Sequence, residues 1–227
     1  MNILLTNDDG YFAYGINLLY ELLSKEHHVV IVAPKEVMSA KSVSIIVDRP
    51  VEINKINDHV FAVGGTPADC VAFGLSSLNI KFDLVVSGCN HGLNVSYDTM
   101  YSGTIGACLQ ALTYRLPAIA VSADCNYDIV EENFLNVFSH IIDNNLLSKE
   151  YLLNINFPLS GPIKGIKLTH IYYRKAATYY IHKEGNIYQA LRDLDDKNCT
   201  DIDSDVYAIY HHYVSISKLG KTLDYNS

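Results

Sequence analysis

The chain has 227 residues, of which 49% are apolar and 19% charged. A chain of this length can bury roughly 70% of the surface its extended form exposes. One substantial core is therefore expected without disulfide or metal staples, and global disorder is excluded. The formal charge of −8 disfavours a polyanion such as duplex nucleic acid. No stretch approaches about 18 consecutive apolar residues, so no membrane-spanning helix and no membrane partner are expected. The opening Met1–Asp8 turns acidic at once and lacks a basic leader region, unlike a secretory signal. Cys70, Cys89, Cys108, Cys125 and Cys199 are scattered and show no CxxC spacing. They read as free thiols of a reducing, cytoplasmic compartment and not as a zinc ribbon.

In chain order, Asn2–Thr6 is a short apolar strand that stops at the turn signal Asn7-Asp8-Asp9-Gly10. Gly15–Ser24 places Ile16, Leu18, Leu19, Leu22 and Leu23 near one helical face. His28–Ala33 is a β-branched strand ending at Pro34. Ser44–Val47, Val51–Ile53 and Val60–Val63 read as shorter strands. Thr66-Pro67-Ala68-Asp69 has the cap, the proline and the acid of a helix start. Phe82–Val86 predicts a strand, Ser102–Tyr114 a helix, Pro117–Val121 a strand and Glu131–Ile142 a helix. This alternation implies an α/β fold, a Rossmann-like and mostly parallel sheet with helices on both faces.

After Glu150 the texture becomes β-rich: Leu152–Phe157, Ile163–Ile171, Tyr179–Tyr188 and Asp205–Ser217. Two parts are expected. Residues 1–150 form the α/β catalytic core. Residues 151–227 form a β-rich C-terminal extension that packs on it and offers an arm to a second subunit. Asp193–Asp196 and Asp201–Asp205 read as solvated acidic loops. His27-His28 and His211-His212 read as packing or surface residues.

Ligands of open parallel sheets bind outside the carboxyl ends of the strands. Asn7–Gly10, Pro34–Ser44, Ser87–Asn90 and Ser122–Asp124 all end apolar strands in polar residues. Adjacent Asp8 and Asp9 point to opposite faces in an extended strand, but both can face one point in a turn at Gly10. Two close carboxylates attract a divalent cation. Ser39 and Asn90 complete an all-oxygen set suited to Mg²⁺, Mn²⁺ or Ca²⁺. The competing reading is a polar capped turn. A long loop from Asn90 through Asn94 runs into a helix beginning Ser102-Gly103-Thr104, whose free N–H groups and hydroxyls can hold a phosphate. An ordinary cap is again the competing reading. His91 stands beside Asn90 as a candidate acid or phosphate donor. Gly220-Lys221-Thr222 fails as a Walker A ending because Ser215 stands where a glycine is needed and no helix follows.

The ordered set Ile3–Gly10, Val32-Ala33-Pro34 with Ser39, Gly65–Cys70, Val85–Gly92, Tyr101-Ser102-Gly103-Thr104, Leu153–Pro158 and Tyr213-Val214-Ser215 resembles the survival protein E (SurE) family of metal-dependent 5′-nucleotidases. The resemblance implies a phosphatase that hydrolyses nucleoside 5′-monophosphates with one divalent metal ion per subunit, Mg²⁺ or Mn²⁺ foremost. It places the metal on Asp8, Asp9, Ser39 and Asn90. It also implies a C-terminal arm exchanged in a homodimer, sometimes a homotetramer. The residues themselves add Asp8 and Asp9 as catalytic groups and Asn94, Ser102, Gly103 and Thr104 as phosphate binders. Three positions depart from the family pattern: Tyr14 stands for a usual proline, and Ala40 and Ser96 for usual glycines. Residues 172–200 match poorly. The alternatives are a non-catalytic nucleotide or phosphate sensor and a nucleotide-dependent transferase on the same core.

Overall fold

The computed structural model describes residues 1–173, 178–192 and 198–220. In chain order the first half contains β1 (Asn2–Thr6), α1 (Tyr14–Leu23), β2 (His28–Pro34), β3 (Ile53–Asn57), β4 (Val60–Val63), α2 (Pro67–Ser77) and β5 (Leu84–His91). It continues with a 3₁₀ turn (Ser96–Met100), α3 (Gly103–Thr113), β6 (Ala118–Ala123), α4 (Tyr127–Asp143) and β7 (Tyr151–Asn156). The remainder holds β8 (Gly165–Thr169), β9 (Thr178–Glu184), β10 (Ile187–Arg192), α5 (Asp205–Tyr210) and β11 (Tyr213–Gly220).

Nine strands form one sheet in the order β3-β4-β2-β1-β5-β6-β7-β11-β8. The six from β4 to β7 run parallel. Strand side chains alternate between the faces, and each face is covered by its own helices. Ile3, Leu5 and Ile31 pack under α1 and α4 through Leu19, Phe134 and Ile141. Leu4, Val30 and Val85 pack under α2 and α3 through Val71, Ile105 and Leu112. From β1 the chain builds outward in one direction to β2 and β4. From β5 it builds in the other direction to β6 and β7. The crevice of a doubly wound fold opens at such a reversal, here between β1 and β5.

The sheet continues past residue 150. β7 adds parallel to β6, β11 adds antiparallel to β7, and β8 closes the edge. Among the described residues β9 and β10 pair only with each other, as a hairpin. No helix among the described residues is long and apolar enough to cross a membrane.

Three expectations are corrected. Ser44–Val47 and most of Val51–Ile53 are loop, and the edge strand is Ile53–Asn57. The loop's polar groups are satisfied by the start of α2 in place of a ladder. Thr66 Oγ1 donates to Ser44 O at 2.6 Å, and Ile46 N donates to Asp69 Oδ1 at 3.1 Å. Asp205–Tyr210 is helix, not strand. Ser204 Oγ caps it by accepting Tyr207 N at 3.1 Å, and Val206 and Ile209 share an inward face. Asp205 is fully buried, not solvated. Asp193–Asp196, Lys221 and Thr222 lie outside the described residues.

Candidate active site

The turn after β1 is closed by Asn7. Its Nδ2 donates to Gly10 O at 2.9 Å, and its Oδ1 accepts Gly10 N at 3.2 Å. Gly10 takes φ of +102°, a region open to glycine. The chain thereby leaves the strand geometry, and Asp8 and Asp9 face one cavity of about 230 Å³. Ser39, Asn90, Asn94 and Ser102 line the same cavity. With His91, seven of the residues singled out from sequence therefore converge on one hollow, at the crevice between β1 and β5.

Asp8 is 4% exposed. Its Oδ1 accepts the Thr104 hydroxyl at 2.7 Å. Burial pushes its carboxyl up to about 6, against the pull of the Thr104 hydrogen bond and with a further push from the Asp9 charge. Asp9 is half-buried, and its Oδ2 accepts His91 N at 3.1 Å. Neither carboxylate forms an ion pair with a cationic side chain among the described residues.

Ser39 sits on an exposed loop held at both ends. Met38 N donates to Asp8 O at 2.7 Å, and Ser42 N donates to Tyr101 O at 3.0 Å. Between these ties Ala40 adopts φ of +57°. Asn90 donates its Nδ2 to Gly92 O at 2.8 Å, which fixes the amide and leaves Oδ1 as an acceptor.

Asn94 is clamped rather than free. Its N donates to Asn156 Oδ1 at 2.8 Å, and its Nδ2 donates to Ser122 Oγ at 2.9 Å. Its carbonyl accepts Asn154 Nδ2 at 2.8 Å and Asn156 Nδ2 at 3.0 Å. Asn154 and Asn156 escaped the sequence reading of the site, although two asparagines two apart in an apolar strand are a visible signal of polar groups on one face. Asn154 and Asn156 stand behind Asn94, whereas Asp98, on the cavity wall itself, carried no such signal.

Ser102 caps α3 by accepting Ile105 N at 3.2 Å and stands at the cavity wall. Gly103 and Thr104 are not on that wall and lie behind Asp8. Thr104 donates its hydroxyl to the carboxylate, and the nearby Gly103 backbone helps hold the Asp8 carboxyl down against burial. A Cβ on Gly103 would stand 2.9 Å from Asp8 Cβ, so only glycine lets α3 approach this closely.

The donor set fits a hard cation. No group of three or more His, Cys, Asp or Glu among the described residues has metal-binding geometry. The cavity instead joins two unpaired carboxylates to a hydroxyl and an amide oxygen, the ligand types Mg²⁺ and Mn²⁺ take. On the rim, the His91 ring lies between Cys125 Sγ, 3.2 Å from Nε2, and the Tyr127 hydroxyl, 3.4 Å from Nδ1. Burial, followed by the nearby Cys89 and Asp9 groups, pushes the Tyr127 phenol up.

A doubly wound α/β chain with an oxygen-rich acidic cavity at its strand crossover belongs among proteins that handle phosphates at that crevice. Residues 3–178 match the family model of survival protein SurE. The protein named 5′-nucleotidase SurE in Clostridium beijerinckii is 38% identical over 96% of this chain and 92% of its own. Its namesake in Clostridium botulinum is 36% identical over 96% and 93%. The crystal structure of the SurE protein from Aquifex aeolicus superposes with a TM-score of 0.85 at 33% identity, over 99% of this chain and 96% of that one. The chain belongs to the SurE family.

Proposed function

We propose that this protein is a cytoplasmic, divalent-metal-dependent 5′-nucleotidase that hydrolyses nucleoside 5′-monophosphates to nucleoside and phosphate. The observation that carries the reading is the pairing of Asp8 and Asp9 on one cavity with the oxygens of Ser39 and Asn90. The relatives named 5′-nucleotidase SurE support the reaction class.

In this reading Asp8, Asp9, Ser39 and Asn90 hold one Mg²⁺ or Mn²⁺. When bound, the ion supplies an acidified water and neutralises charge on the phosphoryl group. Asp9, the more exposed carboxylate, would accept a proton from the attacking water, and the leaving 5′-oxygen would take one from solvent. The Thr104 hydroxyl orients Asp8, and Gly103 leaves the room for it to do so. Ser102 and Asn94 stand on the wall facing the phosphate and hold its oxygens. The helix start, assigned to phosphate from sequence, thus acts partly through Asp8. Residues 1–150 would supply this chemistry. Residues 151–227, through the β9–β10 hairpin, would supply an arm to a second subunit in a dimer or tetramer.

Phosphate release from a panel of nucleoside monophosphates, with Mg²⁺, Mn²⁺ and a chelator compared, tests the proposal. Release that the chelator abolishes, and that Asp8→Asn lacks, is the expected result. Release indifferent to the chelator, or near-normal release by Asp8→Asn, overturns it.

A further inference from the structure

Beside the acidic cavity lies a second hollow of about 300 Å³. Tyr14 at the start of α1 forms one side, and Cys125, Asn126, Tyr127 and Asp128 at the start of α4 form the other. His91 belongs to both neighbourhoods. Its backbone N–H donates to Asp9, it lines the acidic cavity, and its ring touches Cys125 and Tyr127 of the second hollow. Each step from Asp9 through His91 to Tyr127 is a direct contact. The Tyr14 and Tyr127 rings pack 5.1 Å apart at a tilt of 54°, and Tyr14 remains 60% exposed. An aromatic pair with an open face at the mouth of a charged site is a stacking platform.

We propose that this second hollow is the nucleobase subsite, with Tyr14 and Tyr127 as its platform, and that it takes purine 5′-monophosphates in preference to uridylate. The proposal rests on the reading of the acidic cavity as a nucleotidase site and deepens it. The occupant follows from continuity. A nucleotide whose phosphate lies at Asp8 and Asp9 carries its ribose past His91, and its base then meets the tyrosines. A two-ring base covers more of a tyrosine pair than a single ring does. The edge of the hollow offers acceptors. Asp128 is an exposed carboxylate, and Asn126 spends its amide N–H on Leu159 O at 3.5 Å, keeping its carbonyl oxygen. Adenine and guanine present exocyclic amino donors to such acceptors, whereas uracil has no amino group and presents only its ring N3–H.

The test compares AMP, UMP and ribose 5-phosphate, which has no base, on wild type, Tyr14→Ala and Tyr14→Phe. The ratio of kcat/KM for AMP over ribose 5-phosphate should fall about tenfold in Tyr14→Ala and hold in Tyr14→Phe, as loss of one stacking partner requires. Adenosine, which needs neither turnover nor phosphate, is titrated onto the full chain by calorimetry. Its Kd should rise about tenfold in Tyr14→Ala. An unchanged ratio, an equal fall in both aromatic and alanine variants, an unchanged adenosine Kd, or wild-type preference for UMP over AMP overturns the subsite. Failure of wild type to hydrolyse any nucleotide strikes the nucleotidase reading instead, and the adenosine titration still decides the platform.

Discussion

The buried carboxylate of Asp205 on α5 accepts the backbone N–H of Ser96 at 2.8 Å, across 109 residues of sequence. The same carboxylate accepts Tyr172 N and Val206 N, each at 2.8 Å. Ser96 adopts φ of +52°, where the family pattern favours glycine, and its hydroxyl donates to Tyr172 O at 2.9 Å. One acid from the C-terminal part therefore holds the loop that runs from Asn94 to Ser102 along the cavity. Asp205→Ala would leave three N–H groups without their acceptor. The expected loss of unfolding free energy is about 3 kcal/mol by urea denaturation. In the variant that still folds, kcat should fall through displacement of Asn94 and Ser102. A fully active variant would show that the loop holds its position without Asp205.

The protonation of Asp205 gives that contact a pH signature. Burial pushes its carboxyl above the usual carboxylate range, and the Ser96, Tyr172 and Val206 N–H donors pull it back only in part. In the window between the unfolded and the folded value the native state binds the extra proton. Stability from this group is therefore fully present below the unfolded carboxylate value, near about 4, and declines as pH rises through the folded value. Asp205→Asn cannot titrate. The advantage of wild type over Asp205→Asn in unfolding free energy should shrink as pH is raised through that window. Urea titrations of both chains at a series of pH values read the slope. A growing advantage would mean that the three donors outweigh burial.

Gly106 of α3 seats the Ser39 loop. Any Cβ there would collide with the carbonyl of Ser42, whose N–H is bound by Tyr101 O at 3.0 Å. Gly106→Ala must push that loop away from α3, and with it the Ser39 hydroxyl. At the helix interior alanine is otherwise favourable by about 1 kcal/mol. That gain does not offset a collision with backbone, so the expected result is a less stable variant whose phosphate release falls about tenfold and needs more Mn²⁺ for half-maximal rate. Unimpaired activity at the wild-type Mn²⁺ requirement would remove Ser39 from the proposed metal set.

What the sequence disclosed and what it hid divide along a physical line. The parallel core was legible because its strands are apolar runs and its helices carry their own caps, as the Thr66–Asp69 capping box shows. The convergence of Asp8, Asp9, Ser39 and Asn90 was legible because Asp8, Asp9 and Ser39 follow strands of that core and Asn90 stands in the last residues of another. Ser44–Val47 and most of Val51–Ile53 were misread because β-branched residues such as Val47 and Val51 suit a strand, while the hydrogen bonds that decide the matter come from Thr66 and Asp69. Asp205 looked like one more acid in an acidic stretch. Only the fold brings it under Ser96. The place of Gly103 and Thr104 behind Asp8 was hidden for the same reason, since the approach of α3 to Asp8 is a tertiary contact.

The Thr104 hydroxyl, wholly buried, donates a hydrogen bond to Asp8 Oδ1 at 2.7 Å. Thr104→Val keeps the volume and removes the donor. The uncompensated buried acceptor costs about 1–3 kcal/mol of stability, which thermal or urea unfolding reports. Thr104→Ser should restore most of the activity that Thr104→Val loses. If Val and Ser variants behave alike, Thr104 serves packing and does not orient Asp8.

Ion binding can be separated from turnover. A cation that binds only the folded chain stabilises it by RT ln(1 + [L]/Kd), about 2.7 kcal/mol at a hundredfold excess over Kd. Mn²⁺ or Mg²⁺ added to chelator-treated protein should therefore raise its urea midpoint. The increment should vanish in Asp8→Asn and in Asp9→Asn, because each removes one of two carboxylates that no cationic side chain pairs among the described residues. With the charge pair relieved, both variants should equal or exceed the metal-free wild type in stability, since adjacent acids repel and burial of Asp8 penalises its charged form. A metal increment that survives both substitutions would place the ion away from the strand crossover and withdraw the basis of the hydrolytic assignment.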